Sequence, residues 1–200
     1  MRILILLLAL LSVRSYASEL QVGDVILQPL RCYSCGLIEA QEKSSFSHMG
    51  LVVHTTNGVK VAEALGQVRI VTLTEFLAKG DSTRAHKIMR PREVVAFDFM
   101  TAIEPWLGAE FDRAFLWDNL GRDGREAFYC SEMVTKLLNK FLKNKMPTKP
   151  MDFSQNFEAW NSYFVGNVPQ GEPGISPGDY EHSKLFKWVG SFQGGAWNWK

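Results

Sequence analysis

Apolar and polar positions follow two rhythms along this chain. Between residues 130 and 143 the apolar residues Val134, Leu137, Leu138 and Phe141 recur at three- and four-residue intervals, with Lys136, Asn139, Lys140 and Lys143 between them. That spacing predicts an amphipathic helix, with Cys130 on its apolar side at the first turn. The earlier part reads as short strands. A turn at Gly23-Asp24 leads into an apolar run ended by Pro29, and residues 46–54, 59–65 and 67–72 predict three more strands. Asn57-Gly58, a dipeptide favoured in tight turns, joins the first two of these as a hairpin. Residues 37–43 fit a helix or an ordered loop, 74–78 a helical turn, and 86–90 with 94–98 a further strand and helix. Residues 99–120 read as partly helical, interrupted by Pro105 and Gly108, and 121–125 as a loop. Beyond Lys143, Pro147, Pro150, Pro169, Pro173 and Pro177 accompany many glycines, which predicts an irregular tail. It is too aromatic to be disordered (Phe153, Phe157, Trp160, Tyr163, Phe164), so it is expected to pack over the core.

The chain begins differently. Met1-Arg2 precedes an apolar run over residues 3–11, too short to span a bilayer, and Ser15-Tyr16-Ala17 gives a small-x-small cleavage pattern. Residues 1–17 are therefore expected to be a secretory signal peptide, and residues 18–200 a single domain. The exported protein is expected to be periplasmic or secreted, and soluble, with no stable membrane span. The whole chain has 22 basic and 21 acidic residues; losing Arg2 and Arg14 leaves 20 basic ones. So balanced a charge does not point to nucleic acid or to an anionic membrane surface.

Export makes the three cysteines matter, because that compartment is oxidising. Cys32 and Cys35 lie close together and Cys130 far away. A disulfide between the first two leaves Cys130 as the odd thiol; the count allows this without requiring it. A lone cysteine in an amphipathic helix is either a buried structural thiol or a nucleophile. The helix start favours the second role, because unpaired N–H groups there carry partial positive charge and ease loss of the thiol proton.

A cysteine nucleophile needs a base within hydrogen-bond reach and a third group to orient that base. Of four histidines, His48 in Ser47-His48-Met49-Gly50 is the candidate base, since it opens a strand beside a glycine and can face a cleft. His54 lies beside the turn, His86 after a polar loop, and His182 in the tail. Glu63, flanked by Ala62 and Ala64 on the next strand, is the candidate orienter; its context also fits a solvated acid. A tight turn centred on Asn57-Gly58 pairs residue 63 with residue 52, not 48. A bulge or longer loop is needed to bring Glu63 level with His48.

Gly23-Asp24-Val25-Ile26-Leu27-Gln28, Ser47-His48-Met49-Gly50, Glu63-Ala64, Phe111-Asp112-Arg113-Ala114-Phe115 and Tyr129-Cys130-Ser131-Glu132-Met133-Val134 together resemble the YiiX/YaeF-like family, as does Gly174-Ile175-Ser176-Pro177-Gly178-Asp179 in the tail. These proteins belong to the circularly permuted branch of the NlpC-type, papain-like superfamily. The resemblance implies an α+β fold in which an antiparallel sheet packs against the cysteine helix, and the histidine strand comes before that helix. It implies Cys130 as nucleophile, His48 as general base and acid, Glu63 as orienter, and Gln28 or Tyr33 as a further oxyanion donor. Asp112 is read as a loop anchor. The implied reaction is acyl transfer through a thioester on a peptide-like or acyl substrate, with no cofactor or metal. Export favours cell-envelope peptides or amides, including cell-wall fragments.

Three other readings stay open. The same fold suits a lipid acyl hydrolase or acyltransferase. It also suits a non-catalytic envelope-binding module, because a fold does not guarantee an activity. Cys32-x-x-Cys35 suits a thiol oxidoreductase, although no βαβ pattern surrounds it. Trp188, Trp197 and Trp199 read as packing or edge residues.

Overall fold

The computed structural model describes residues 19–54, 56–93 and 98–200. The expected signal peptide and most of the expected element at 94–98 lie outside the described residues. Among the described residues, seven strands form one sheet in the order β4-β3-β2-β1-β5-β8-β9, and every neighbouring pair is antiparallel. The strands are β1 (Val25–Gln28), β2 (His48–His54), β3 (Lys60–Leu65), β4 (Gln67–Thr72), β5 (His86–Pro91), β8 (Phe186–Gln193) and β9 (Ala196–Trp199). A separate two-stranded ribbon pairs β6 (Lys149–Pro150) with β7 (Pro173–Gly174). The helices are α1 (Tyr33–Glu42), α2 (Leu73–Leu77), α3 (Phe99–Ile103), α4 (Cys130–Asn139), α5 (Phe157–Tyr163) and α6 (Pro177–His182), with a 3-10 turn at Glu104–Trp106.

The periodic helix is α4, and it packs over β2 and β3. Met133, Val134, Leu137 and Leu138 sit in the main core with Val25, Leu27, Met49, Leu51 and Val53 from the facing sheet. A smaller cluster covers the opposite face, where Phe76 of α2 packs with Ile26, Val52, Val61 and Ile88. Strand β2 is thus covered on both faces, which explains its nearly unbroken apolar run.

The tail is more regular than its prolines and glycines imply. Residues 186–199 form a hairpin that extends the sheet beyond β5, turning at Gly194 and Gly195, both at positive φ. Trp197 and Trp199 stack with ring centroids 5.2 Å apart against the smaller cluster. Helix α6 starts with a capping box between Ser176 and Asp179 and with Pro177 in its first turn.

The β2–β3 pairing departs from a tight hairpin. Val52 faces Val61 and Leu51 faces Ala62, with a register shift between Val52 and His54. That bulge moves β3 along β2, so that Glu63 falls on the same face as His48 and diagonal to it. Gly50 lies between them on that face. A Cβ there would stand 2.5 Å from Val61 Cγ1 and 2.6 Å from Phe76 Cε2. Only glycine allows Phe76 this close, and its ring stacks on His48 at 5.7 Å between centroids.

Candidate active site

Cys130 is the first residue of α4, and the residue before it, Tyr129, gives the helix no side-chain cap. The first-turn N–H groups therefore keep their donor capacity beside the sulfur. Tail and helix hold each other in place. Ser131 Oγ donates to the Ile175 carbonyl at 2.8 Å, and Thr135 Oγ1 lies 2.8 Å from Tyr180 Oη. The family-like tail segment thus clamps the cysteine helix.

His48 enters from the start of β2. Ser47 fixes that strand end by donating to Glu39 Oε1 of α1 at 3.0 Å and accepting from the Leu30 N–H at 3.1 Å. His48 Nε2 donates to Glu63 Oε2 at 2.8 Å. The other ring nitrogen, Nδ1, is left for Cys130, which lines the same cavity and favours the protonated ring. Burial disfavours the charged ring, but the bonds to Cys130 and Glu63 override it and raise the imidazole to about 9. Both side chains are almost fully enclosed, His48 at 2% and Glu63 at 0% exposure.

Behind Glu63 stands a residue that sequence reasoning missed. Arg69 of β4 faces Glu63 directly across the hairpin, and donates to Glu63 Oε1 from Nε at 2.9 Å and Nη2 at 2.6 Å. Burial pushes the Glu63 carboxyl up, while His48 and then Arg69 hold it below its ordinary value. The signal was present in the sequence, since residues 63 and 69 are equidistant from Gly66, the turn between two predicted strands.

Cys130 and His48 line one cavity of ≈ 260 Å³, whose walls include Ile38, Phe111, Phe115, Phe153, Trp160 and Tyr163. The two expected oxyanion residues do not reach it. Gln28 is committed elsewhere on the same face, where its Nε2 donates to the Phe76 carbonyl at 2.8 Å and to His86 Nε2 at 3.0 Å. Tyr33 begins α1 with 65% of its surface exposed and is not among the residues lining the cavity, although its neighbours Cys32 and Ser34 are. Gln28 is the register partner of His48 and shares its face of the sheet, but its amide is held by Phe76 and His86, while Tyr33 is left to solvent.

Cys32 and Cys35 form a disulfide, and Cys130 is the free cysteine. The pair closes the first turn of α1, where Cys32 Sγ also accepts the Cys35 N–H. Of the other histidines, His54 ends β2, His86 is buried against Gln28, and His182 ends α6. Asp112 is buried and accepts from the Ala114 and Leu116 N–H groups and from Asn119 Nδ2 at 2.7–2.9 Å, which anchors the loop before the cysteine helix.

A sheet whose histidine strand precedes a helix opening on cysteine defines the permuted papain-like class. A family model described as "Permuted papain-like amidase enzyme, YaeF/YiiX, C92 family" matches residues 19–189, and the chain belongs to that family. It is 27% identical over 184 residues to "Uncharacterized protein YiiX" of Escherichia coli (strain K12), covering 87% of this chain and 88% of that protein. A crystal structure titled as metalloprotein yiiX from Escherichia coli O157:H7 superposes with a TM-score of 0.72 at 24% identity, covering 90% of this chain and 98% of that one. Among the described residues, no helix is long and apolar enough to cross a membrane.

Proposed function

We propose that the protein is a cysteine amidase or peptidase in which Cys130 attacks, His48 moves the proton and Glu63 orients the ring. The observation that carries this reading is the imidazole bonded at Nε2 to Glu63 and turned toward the Cys130 thiol, inside one cavity. The Cys130 sulfur adds to the amide carbonyl carbon, and the oxyanion that forms meets the Cys130 N–H at the uncapped start of α4. The imidazolium gives its Nδ1 proton to the departing amine, the C–N bond breaks, and a thioester remains. His48 then takes a proton from water as the water oxygen attacks the thioester, releasing a carboxylic acid and restoring the thiol. We extend the proposal to export, on the pattern of residues 1–17, and to peptide-like amides of the cell envelope as substrates.

The solved relative is titled a metalloprotein. The described residues contain one group of three acids close enough to share a cation, Asp118, Glu126 and Glu132. Lys136 Nζ already lies among them, 2.5 Å from Asp118 Oδ1 and 2.7 Å from Glu132 Oε1, and bonded to Glu126. Its ammonium supplies the positive charge that these carboxylates need, so the donor set does not fit a resident metal.

The test is alkylation of the folded protein with iodoacetamide at neutral pH, read by mass spectrometry, together with hydrolysis of envelope peptides. Labelling is expected at Cys130, and Cys130→Ala is expected to abolish hydrolysis while the Cys32→Ser/Cys35→Ser variant retains it. An inert Cys130 sinks the hydrolase reading in favour of a binding module.

A further inference from the structure

The proposed reaction leaves Gln28 and His86 unused, although both are buried beside the site. They form a row with His48 across three strands. Gln28 faces His48 in the pairing of β1 with β2, and the register of Leu27 against Lys87 carries Gln28 level with His86 on β5. The three side chains share the sheet face that Phe76 of α2 covers.

The hydrogen bonds of this row fix its protons. The Phe76 carbonyl can only accept, so the Gln28 atom 2.8 Å from it is the amide NH2. That NH2 also lies 3.0 Å from His86 Nε2, which must therefore accept, leaving the His86 proton on Nδ1. Burial holds His86 below its ordinary value, so it stays a neutral acceptor wherever the His48 ring titrates. The pair is closely enclosed: a Cβ on Gly80 would stand 2.5 Å from His86 Nε2 and 2.9 Å from Gln28 Nε2. Gln28 Oε1 is buried with no partner among the described residues. An apolar side chain would avoid that cost, so packing alone does not account for the amide.

What the amide holds is Phe76. Its carbonyl accepts from Gln28 and from the Lys79 N–H, and its ring is fully buried. That ring stacks on the His48 imidazole, with centroids 5.7 Å apart and planes 27° from parallel. An aromatic face within about 6 Å of a cation attracts it, most strongly where water is excluded. The other groups acting on the charge of the imidazole are Cys130 of α4 and Glu63 of β3, which Arg69 of β4 backs. Of the remaining neighbours, Glu39 of α1 is paired with Arg84, and Glu75 of α2 is exposed in its cap with Thr72.

We propose that Phe76 is a positioning residue for the catalytic imidazole: its ring face supports the charged form of His48, and the Gln28–His86 pair holds that ring in place. Calling the imidazole catalytic rests on the hydrolase reading above; the support of its charge does not.

The test is NMR titration of the histidine rings in the full chain labelled with nitrogen-15, with His48 assigned by the signal lost in His48→Gln. The parent ring is expected to lose its proton near pH 9. Phe76→Leu keeps apolar bulk and removes the aromatic face, and is expected to lower that midpoint by about 0.5–1.5 in pH. Gln28→Leu and His86→Leu keep the face but free it, and are expected to lower the midpoint by a smaller step. His86→Gln offers Gln28 an acceptor again and is expected to restore the midpoint of the parent. A merely structural role would lower the melting temperature of these variants and leave the midpoint near 9. A midpoint unmoved in folded Phe76→Leu therefore overturns the proposal, as does one unmoved in both Gln28→Leu and His86→Leu. If Phe76→Leu does not fold, Gln28→Leu and His86→Leu set against His86→Gln decide the matter alone. Shifted midpoints in a protein whose Cys130 proves inert would sink the hydrolase reading and leave the support of the ring standing. Hydrolysis with every midpoint unmoved would do the reverse.

Discussion

Glu63→Gln separates an oriented, charged imidazole from an idle one. The carboxylate accepts from His48 at Oε2 and from Arg69 twice at Oε1. A glutamine of the same shape has one acceptor oxygen. If that oxygen serves Arg69, the amide NH2 faces His48 Nε2 and forces the wrong tautomer. If it serves His48, the NH2 meets the Arg69 donors head on. Because His48 and Glu63 are enclosed, solvent does not screen the loss. A hydrogen bond to a charged group contributes about 1.5–3 kcal/mol. At roughly 1.4 kcal/mol per decade, this is about a 10- to 150-fold drop in hydrolysis and in Cys130 alkylation.

The pH dependence gives a second, independent reading of the same change. The native imidazole keeps its proton up to about 9, above the ordinary 6.5. A raised value of this kind stabilises the fold fully below about 6.5, and the stabilisation is lost as pH rises through about 9. The span corresponds to roughly 3 kcal/mol. In Glu63→Gln, burial is no longer opposed by the carboxylate, and the charge of Arg69 stands uncompensated. The inflection should fall toward or below the ordinary value, and stability should flatten between neutral pH and about pH 9. Alkylation rates and thermal melts across about pH 5 to 10 measure both effects. An unchanged alkylation rate with its inflection still near 9 would refute the Glu63 assignment.

Two further outcomes follow from the packing. Gly50→Ala forces a methyl against Val61 and Phe76, and should lower stability by about 1–3 kcal/mol in urea denaturation; an unshifted midpoint would show that these two side chains have room to give. Cys32→Ser/Cys35→Ser removes a disulfide that closes only a short loop, which should cost about 2 kcal/mol of stability while Cys130 alkylation persists. Loss of that alkylation would mean the pair shapes the cavity more than α1 alone does.

Much of this protein is legible locally. The spacing of Val134, Leu137 and Leu138 specifies α4, and the apolar runs specify β2, β3 and β4, because helix and strand periods are properties of neighbouring residues. The tail was harder. Gly194-Gly195 between two aromatic runs is a hairpin signal, yet surrounding prolines and glycines masked it, and only pairing with β5 makes those residues a sheet edge.

Long-range features divide differently. From the sequence come Cys130 at a helix start, His48 at a strand start and Glu63 as a candidate behind it, since each is marked by its immediate neighbours. Tertiary structure alone decides that Glu63 reaches His48, because a bulge resets the register, and that Arg69 stands behind it. It also commits the Gln28 amide to Phe76 and His86, and leaves Tyr33 out of the cavity lining. The physical reason is that hydrophobic period fixes which face a residue occupies. Which side chains meet across that face depends on register, and register is set by contacts between residues far apart in the chain.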